Sequence, residues 1–229
     1  PLVIGGVILS TLHQSSLGTV YLIMPDKLHP FWYSPLLPVF FFISAIAVGL
    51  AMTIFESSLS SKYFGQQLEL TILQELGRVL MVVLSVYAIL RFEDLFHRGM
   101  LRRIVQPGYE MYLLWLELSL SLIVPLALLL QKKIRTSAGG LYLAAVMVVL
   151  GFITNRLNVS ITGLESSAGM HYVPKWTEIA VTGAIIAAGF ALFGLAVKYL
   201  PIFPEEHAAI AHASPQPIAR EVTLQHAGD

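Results

Sequence analysis

Glu117 lies in the middle of an apolar run from Tyr109 to Leu130, and His13 and Arg156 occupy similar depths in other apolar runs. Ionisable side chains are costly in hydrocarbon, so such positions point to proton handling or to a polar-headed ligand held inside a membrane. The strongest local signal is Leu12-His13-Gln14-Ser15-Ser16-Leu17-Gly18, where polar or small residues interrupt an otherwise apolar stretch. One turn carrying an imidazole, an amide and two hydroxyls can bind a carbonyl or hydroxyl head group and pass protons to it, and a quinone is such a ligand. The plainer reading is that these groups bond to i−4 carbonyls and to neighbouring helices. Glu110 and Glu117 are seven residues apart and project from one helix face. Facing a polar cavity, Glu117 could accept or donate a proton, with Glu110 nearer the surface; alternatively Arg156 clamps it as an ion pair.

Six stretches are long enough to carry these residues across ~30 Å of hydrocarbon at ~1.5 Å per residue: Pro1 to Met24, Pro35 to Phe55, Thr71 to Arg91, Tyr109 to Leu130, Gly139 to Leu157 and Trp176 to Leu200. The expected fold is therefore all-α, a polytopic six-helix transmembrane bundle over residues 1–204 with a flexible tail over 205–229. Trp32, Tyr33, Tyr109, Tyr112, Tyr172 and Trp176 fall at segment ends, where interfacial anchors sit. His13 lies ~16 Å and Glu117 ~12 Å from the face that holds the loop from Arg91 to Gly108, and Arg156 is close to that face. The polar groups of three helices thus gather in one leaflet, as in a recess open to one side. Alternating loops put six Lys or Arg on each face, so positive charge does not decide orientation.

Composition agrees with a membrane solvent. Hydrophobic residues are 56% of 229, charged residues 12%, and mean hydropathy is +0.73. Lys plus Arg balance Asp plus Glu at 14 each, which offers no basic field for nucleic acid. The chain has no Cys, so it holds no thiolate-bound iron-sulfur cluster. A bis-His haem b needs two facing axial imidazoles, and of the seven His only His13 lies inside an apolar run. His207 and His212 fall in the tail and are weak evidence for a metal. Arg91, Glu93, Asp94, His97, Arg98, Arg102 and Arg103 make a dense charged loop, suited to docking an extrinsic subunit. The start at Pro1, with no basic leader, reads as the later part of a longer protein.

The chain resembles the later part of an NrfD-like membrane subunit of the polysulfide-reductase family, nearest to the so-called cytochrome b subunit of periplasm-facing nickel-iron hydrogenases. The resemblance rests on Leu12 to Gly18, Ile89-Leu90-Arg91-Phe92-Glu93-Asp94-Leu95, Leu114-Trp115-Leu116-Glu117 and Tyr172-Val173-Pro174-Lys175-Trp176-Thr177-Glu178, in that order. It implies a haem-free subunit of the bacterial inner membrane that anchors an iron-sulfur subunit and a nickel-iron hydrogenase or related catalytic subunit. It would exchange electrons and protons with menaquinone. His13, Gln14, Ser15 and Ser16 would hold the quinone head group, and Glu117, Arg156 and Glu110 would relay or tune protons. Four earlier helices would be missing or supplied by another chain, and the carboxyl terminus would be cytoplasmic. The rival readings are a proton or solute transporter, for which no inverted repeat is visible, and a passive anchor.

Overall fold

The structure is a computed structural model, and it describes residues 2–64, 68–169 and 175–199. It falls into two compact units, residues 1–172 and 173–229. Among the described residues the regular structure is entirely helical. The first unit contains α1 (Leu2–Leu22), α2 (Leu37–Phe64), α3 (Leu70–His97), the short α4 (Leu101–Ile104), α5 (Tyr109–Leu118), α6 (Val124–Leu130), the short α7 (Lys132–Arg135), α8 (Ala138–Leu157) and α9 (Gly163–Ala168). The second contains α10 (Trp176–Tyr199). The tail over 205–229 lies outside the described residues.

Two π-helical segments join helices into longer rods. Ser119–Ile123 fuses α5 to α6, and Asn158–Thr162 fuses α8 to α9. The first has an identifiable cause in Pro125, which lacks an N–H and whose ring would clash with the carbonyl four residues back. A wider turn just before the proline absorbs that clash, so the rod continues through it.

Among the described residues four rods are long and apolar enough to cross a membrane: Leu37–Tyr63, Tyr109–Leu130, Ala138–Glu165 and Trp176–Tyr199. The other two long helices are more polar, α1 because of His13 to Ser16 and α3 because of Glu75, Arg78 and Arg91. Several boundaries move from those read in the sequence. α2 continues well past Phe55, and α3 runs on to His97, because no Gly or Pro beyond the apolar run stops them. Much of the expected charged loop is therefore the last turns of a helix.

In the first unit α2, α3, α5–α6 and α8 pack as a ring, with α1 lying against α2. Each rod turns one stripe inward: Ala47, Ala51 and Ile54 from α2; Leu80, Leu84 and Tyr87 from α3; Leu114, Leu118 and Leu122 from the third rod; Ala144, Val148 and Phe152 from α8. Small residues let backbones approach closely, as membrane helices require. Gly151 is the clearest case, since a Cβ there would lie against the backbone of Leu120 and Ser121 in the π-segment. Outward faces remain apolar, with Val79, Val82, Val86 and Ile89 exposed on α3 and Leu143, Leu150, Ile153 and Leu157 on α8. A surface of this kind suits lipid rather than water.

Residues 23–36, between α1 and α2, turn into the end of the ring. Leu28, Phe31, Trp32 and Ser34 are all buried. α3 staples this segment in place: Arg91 Nη2 donates to Phe31 O at 3.1 Å and Arg98 Nη1 to Pro30 O at 2.6 Å. Asp94 accepts from Ser34 Oγ at 2.7 Å and from Arg98 Nη2 at 2.6 Å. On the far side, His29 N donates to Gly163 O at 2.7 Å. Of the expected docking loop, Arg91 and Asp94 are instead interior and bind this segment, whereas Glu93, His97, Arg102 and Arg103 stay exposed. Trp32 is wholly buried rather than interfacial, because its indole N–H has found an acceptor inside the bundle.

Candidate functional site: a buried carboxylate network

Glu117 occupies a core position on α5, continuing the stripe of Leu114 and Leu118, and is only 1% exposed. Three side-chain N–H donors meet its carboxylate. Trp32 Nε1 lies 2.8 Å and Asn158 Nδ2 2.9 Å from Oε2, while Asn155 Nδ2 lies 2.7 Å from Oε1. Arg91 supplies the nearest positive charge, its Nη2 being 3.9 Å from Oε1 with both side chains buried. All four partners are donors, the set an acceptor-only carboxylate needs.

The network continues through Asn155, whose Oδ1 accepts from Arg156 Nη1 at 2.8 Å. Arg156 Nη2 donates to Ser44 Oγ at 2.7 Å, and its guanidinium stacks 3.6 Å from the Phe41 ring centroid. Arg91 in turn faces the Phe40 ring at 5.4 Å. Two cations and one anion thus share one end of the bundle, and the surplus charge rests on aromatic faces. Both π-segments border this site. One begins two residues after Glu117, and the other begins at Asn158, so each widened turn lies where the polar side chains converge.

The residues singled out in the sequence separate into three places. Arg156 reaches Glu117 only through Asn155, and the direct ion pair considered for it is formed by Arg91. Glu110 lies nearer the helix start, half-buried and within electrostatic range of His29. His13 is exposed on α1 and does not share a recess with Glu117. Helical phase explains this: Thr11, Gln14, Ser15 and Gly18 form the half-buried to buried stripe of α1, and His13 lies well around the helix from it. Gly18 sits against the backbone of Leu37 and Pro38, where a Cβ would come within 2.8 Å of Pro38 Cα. Ser16 Oγ bonds to Leu12 O at 3.1 Å, the local pattern set out as the plainer reading, and Thr19 does the same to Ser15.

Sequence reading missed Arg91, Trp32, Asn155, Asn158 and Ser44 as members of one network. Outside the membrane helices, His29 Nδ1 accepts from Phe31 N at 3.3 Å, and its ring packs 5.5 Å from that of Trp32. Burial holds this imidazole below the ordinary value of 6.5, Glu110 pulls it up and Arg103 pushes it down. Protonation at Nδ1 also removes the acceptor of Phe31 N. The unfolded chain then binds more protons just below pH 6.5, so stability falls as pH drops through that range. Unfolding midpoints followed from pH 7 down to about pH 5 should decline, and His29→Gln should flatten that decline. An unchanged slope in the variant would assign it to other groups.

The sequence profile of the family described as Polysulphide reductase, NrfD, matches residues 1–168. A protein of Nitratidesulfovibrio vulgaris is 35% identical over 89% of this chain and 54% of its own length. The probable Ni/Fe-hydrogenase 2 b-type cytochrome subunit of Escherichia coli is 30% identical over 87% of this chain and 51% of its own length. The menaquinone reductase, integral membrane subunit, of Nitratidesulfovibrio vulgaris is 28% identical over 88% of this chain and 53% of its own length. The chain spans about half the length of these relatives.

Proposed function

We infer a function from one premise: this chain belongs to the NrfD family and is a polytopic, all-helical membrane protein. It acts as part of the membrane subunit of a respiratory oxidoreductase in a bacterial inner membrane, exchanging electrons and protons with menaquinone. Its extrinsic partners are an iron-sulfur subunit and a catalytic subunit of the nickel-iron hydrogenase type. Two named relatives support the reading, one a hydrogenase cytochrome subunit and the other a menaquinone reductase membrane subunit. Six transmembrane helices remain our proposal for the chain, with α1 and α3 added to the four more apolar rods.

The observation that carries this reading is a membrane-helix imidazole with no protein partner among the described residues. His13 and its neighbour Gln14 make no side-chain hydrogen bond there, and both offer donors suited to a quinone carbonyl. Ser15 and Ser16 complete the polar turn. A bound quinone would supply the two-electron, two-proton chemistry, while His13 orients the head group and holds a proton at the carbonyl oxygen. Glu117, Glu110 and Arg156 tune the protons of that exchange from one end of the bundle, Glu117 through a carboxylate that three side-chain donors hold in place. We propose that the chain carries no haem: His13 is exposed on α1 and His29 and His97 lie beyond the apolar runs.

The test is hydrogen-dependent reduction of a menaquinone analogue by the assembled complex. His13→Ala should lower kcat/KM by about tenfold or more, the loss of one strong hydrogen bond in the transition state, with assembly intact. Normal turnover in a normally assembled variant would refute the site. A Soret band arising from this chain would refute the haem-free proposal separately.

A further inference from the structure

Arg91 is 2% exposed, yet its Nε–H has no acceptor among the described residues. Its other contacts are accounted for by Phe31 O, the Glu117 carboxylate and the Phe40 ring. A buried charged donor without a partner is costly, and native structures satisfy nearly all of them. Arg91 lines a cavity of about 10 Å³, bordered also by Trp32, Phe40, Tyr87, Asn155 and Val159. That is close to the roughly 10–15 Å³ needed to place the centre of a single water. It is too small for any organic head group.

We propose that this cavity is a binding site for one structural water, which accepts from Arg91 Nε and donates to the Tyr87 hydroxyl or to the second lone pair of Asn155 Oδ1. The site meets both requirements for an internal water, adequate room and more than one polar wall. Tyr87 is 3% exposed, and its hydroxyl makes no side-chain hydrogen bond with protein among the described residues. The water gives it one. It thereby joins the α3 phenol to the Glu117 network, from which direct contacts leave it out. Asn155 already bridges Glu117 and Arg156, so the same water touches both halves of that network.

Two measurements on the assembled complex test this. A density map resolving ordered solvent should show one water within hydrogen-bond distance of Arg91 Nε; a dry cavity, or Arg91 Nε turned to a protein acceptor, overturns the proposal. Pulsed hydroxyl-radical labelling supplies the second, since radicals formed from a bound water mark the side chain beside it. Tyr87 should be labelled despite its burial, and Val159→Ile, which fills the cavity, should abolish that labelling in a folded complex. Background labelling of Tyr87 in the wild type, or labelling unchanged by Val159→Ile, counts against the site. Because neither measurement depends on quinone turnover, the outcome is separate from that of the proposed function.

Discussion

Glu117→Ala is expected to destabilise the first unit by about 3–5 kcal/mol, the usual cost of breaking a buried ion pair by removing one partner. The carboxylate is 1% exposed, so solvent cannot replace it. Its loss strands the Arg91 guanidinium and leaves the Trp32 indole and two asparagine amides without their acceptor. Glu117→Gln restores the shape but brings its own N–H2 toward three donors, so it should recover only part of the loss. The double variant Glu117→Leu with Arg91→Met removes both charges and should be more stable than Glu117→Ala alone. Thermal unfolding of the three variants in one detergent decides the matter. If Glu117→Ala unfolds like the wild type, the carboxylate is not the centre of this network.

Gly151→Ala is expected to cost about 1–3 kcal/mol, and larger side chains more, because the added atom meets backbone that cannot rotate away. The obstacle is the π-segment after α5, at Leu120 and Ser121. Gly151 is one turn from Asn155, and Ser121 is one turn from Glu117, to whose carbonyl its hydroxyl donates at 2.7 Å. Forcing α8 away from this rod therefore draws Asn155 off the Glu117 carboxylate. Quinone reduction should fall together with stability. Gly49→Ala is the control, since a Cβ there meets nothing within 4 Å and should raise helix stability by roughly 0.5–1 kcal/mol. Equal unfolding midpoints for the two alanine variants would show that the α8 contact is looser than the structure indicates.

The helices were legible because long apolar runs have few alternatives in a membrane, and because Pro107-Gly108 marks a real turn, whereas much of Gln131 to Gly140 is helical, as α7 and the start of α8. Glu117 stood out for the same reason. Its partners did not, although two carried a signal in their spacing. Arg91 follows Leu80, Leu84 and Tyr87 at helical intervals, and Asn155 follows Ala144, Val148 and Phe152, so each is a polar residue continuing a core stripe. Reading Arg91 as the beginning of a loop hid this. Trp32 had no such signal, since an irregular segment has no period, and its place depends on the staples from Arg91, Asp94 and Arg98. His13 was legible as unusual, but its direction was not, because sequence gives helical phase only once the neighbouring helix is known.

Trp32 and its neighbours also cap the bundle. With Leu28, Phe31 and an indole bonded to a charged group sealing the ring at this end, its long axis is not an open conduit. Traffic that moves by displacing matter would have to evict the indole first. An oily substrate diffusing in the plane of the bilayer meets no such stopper.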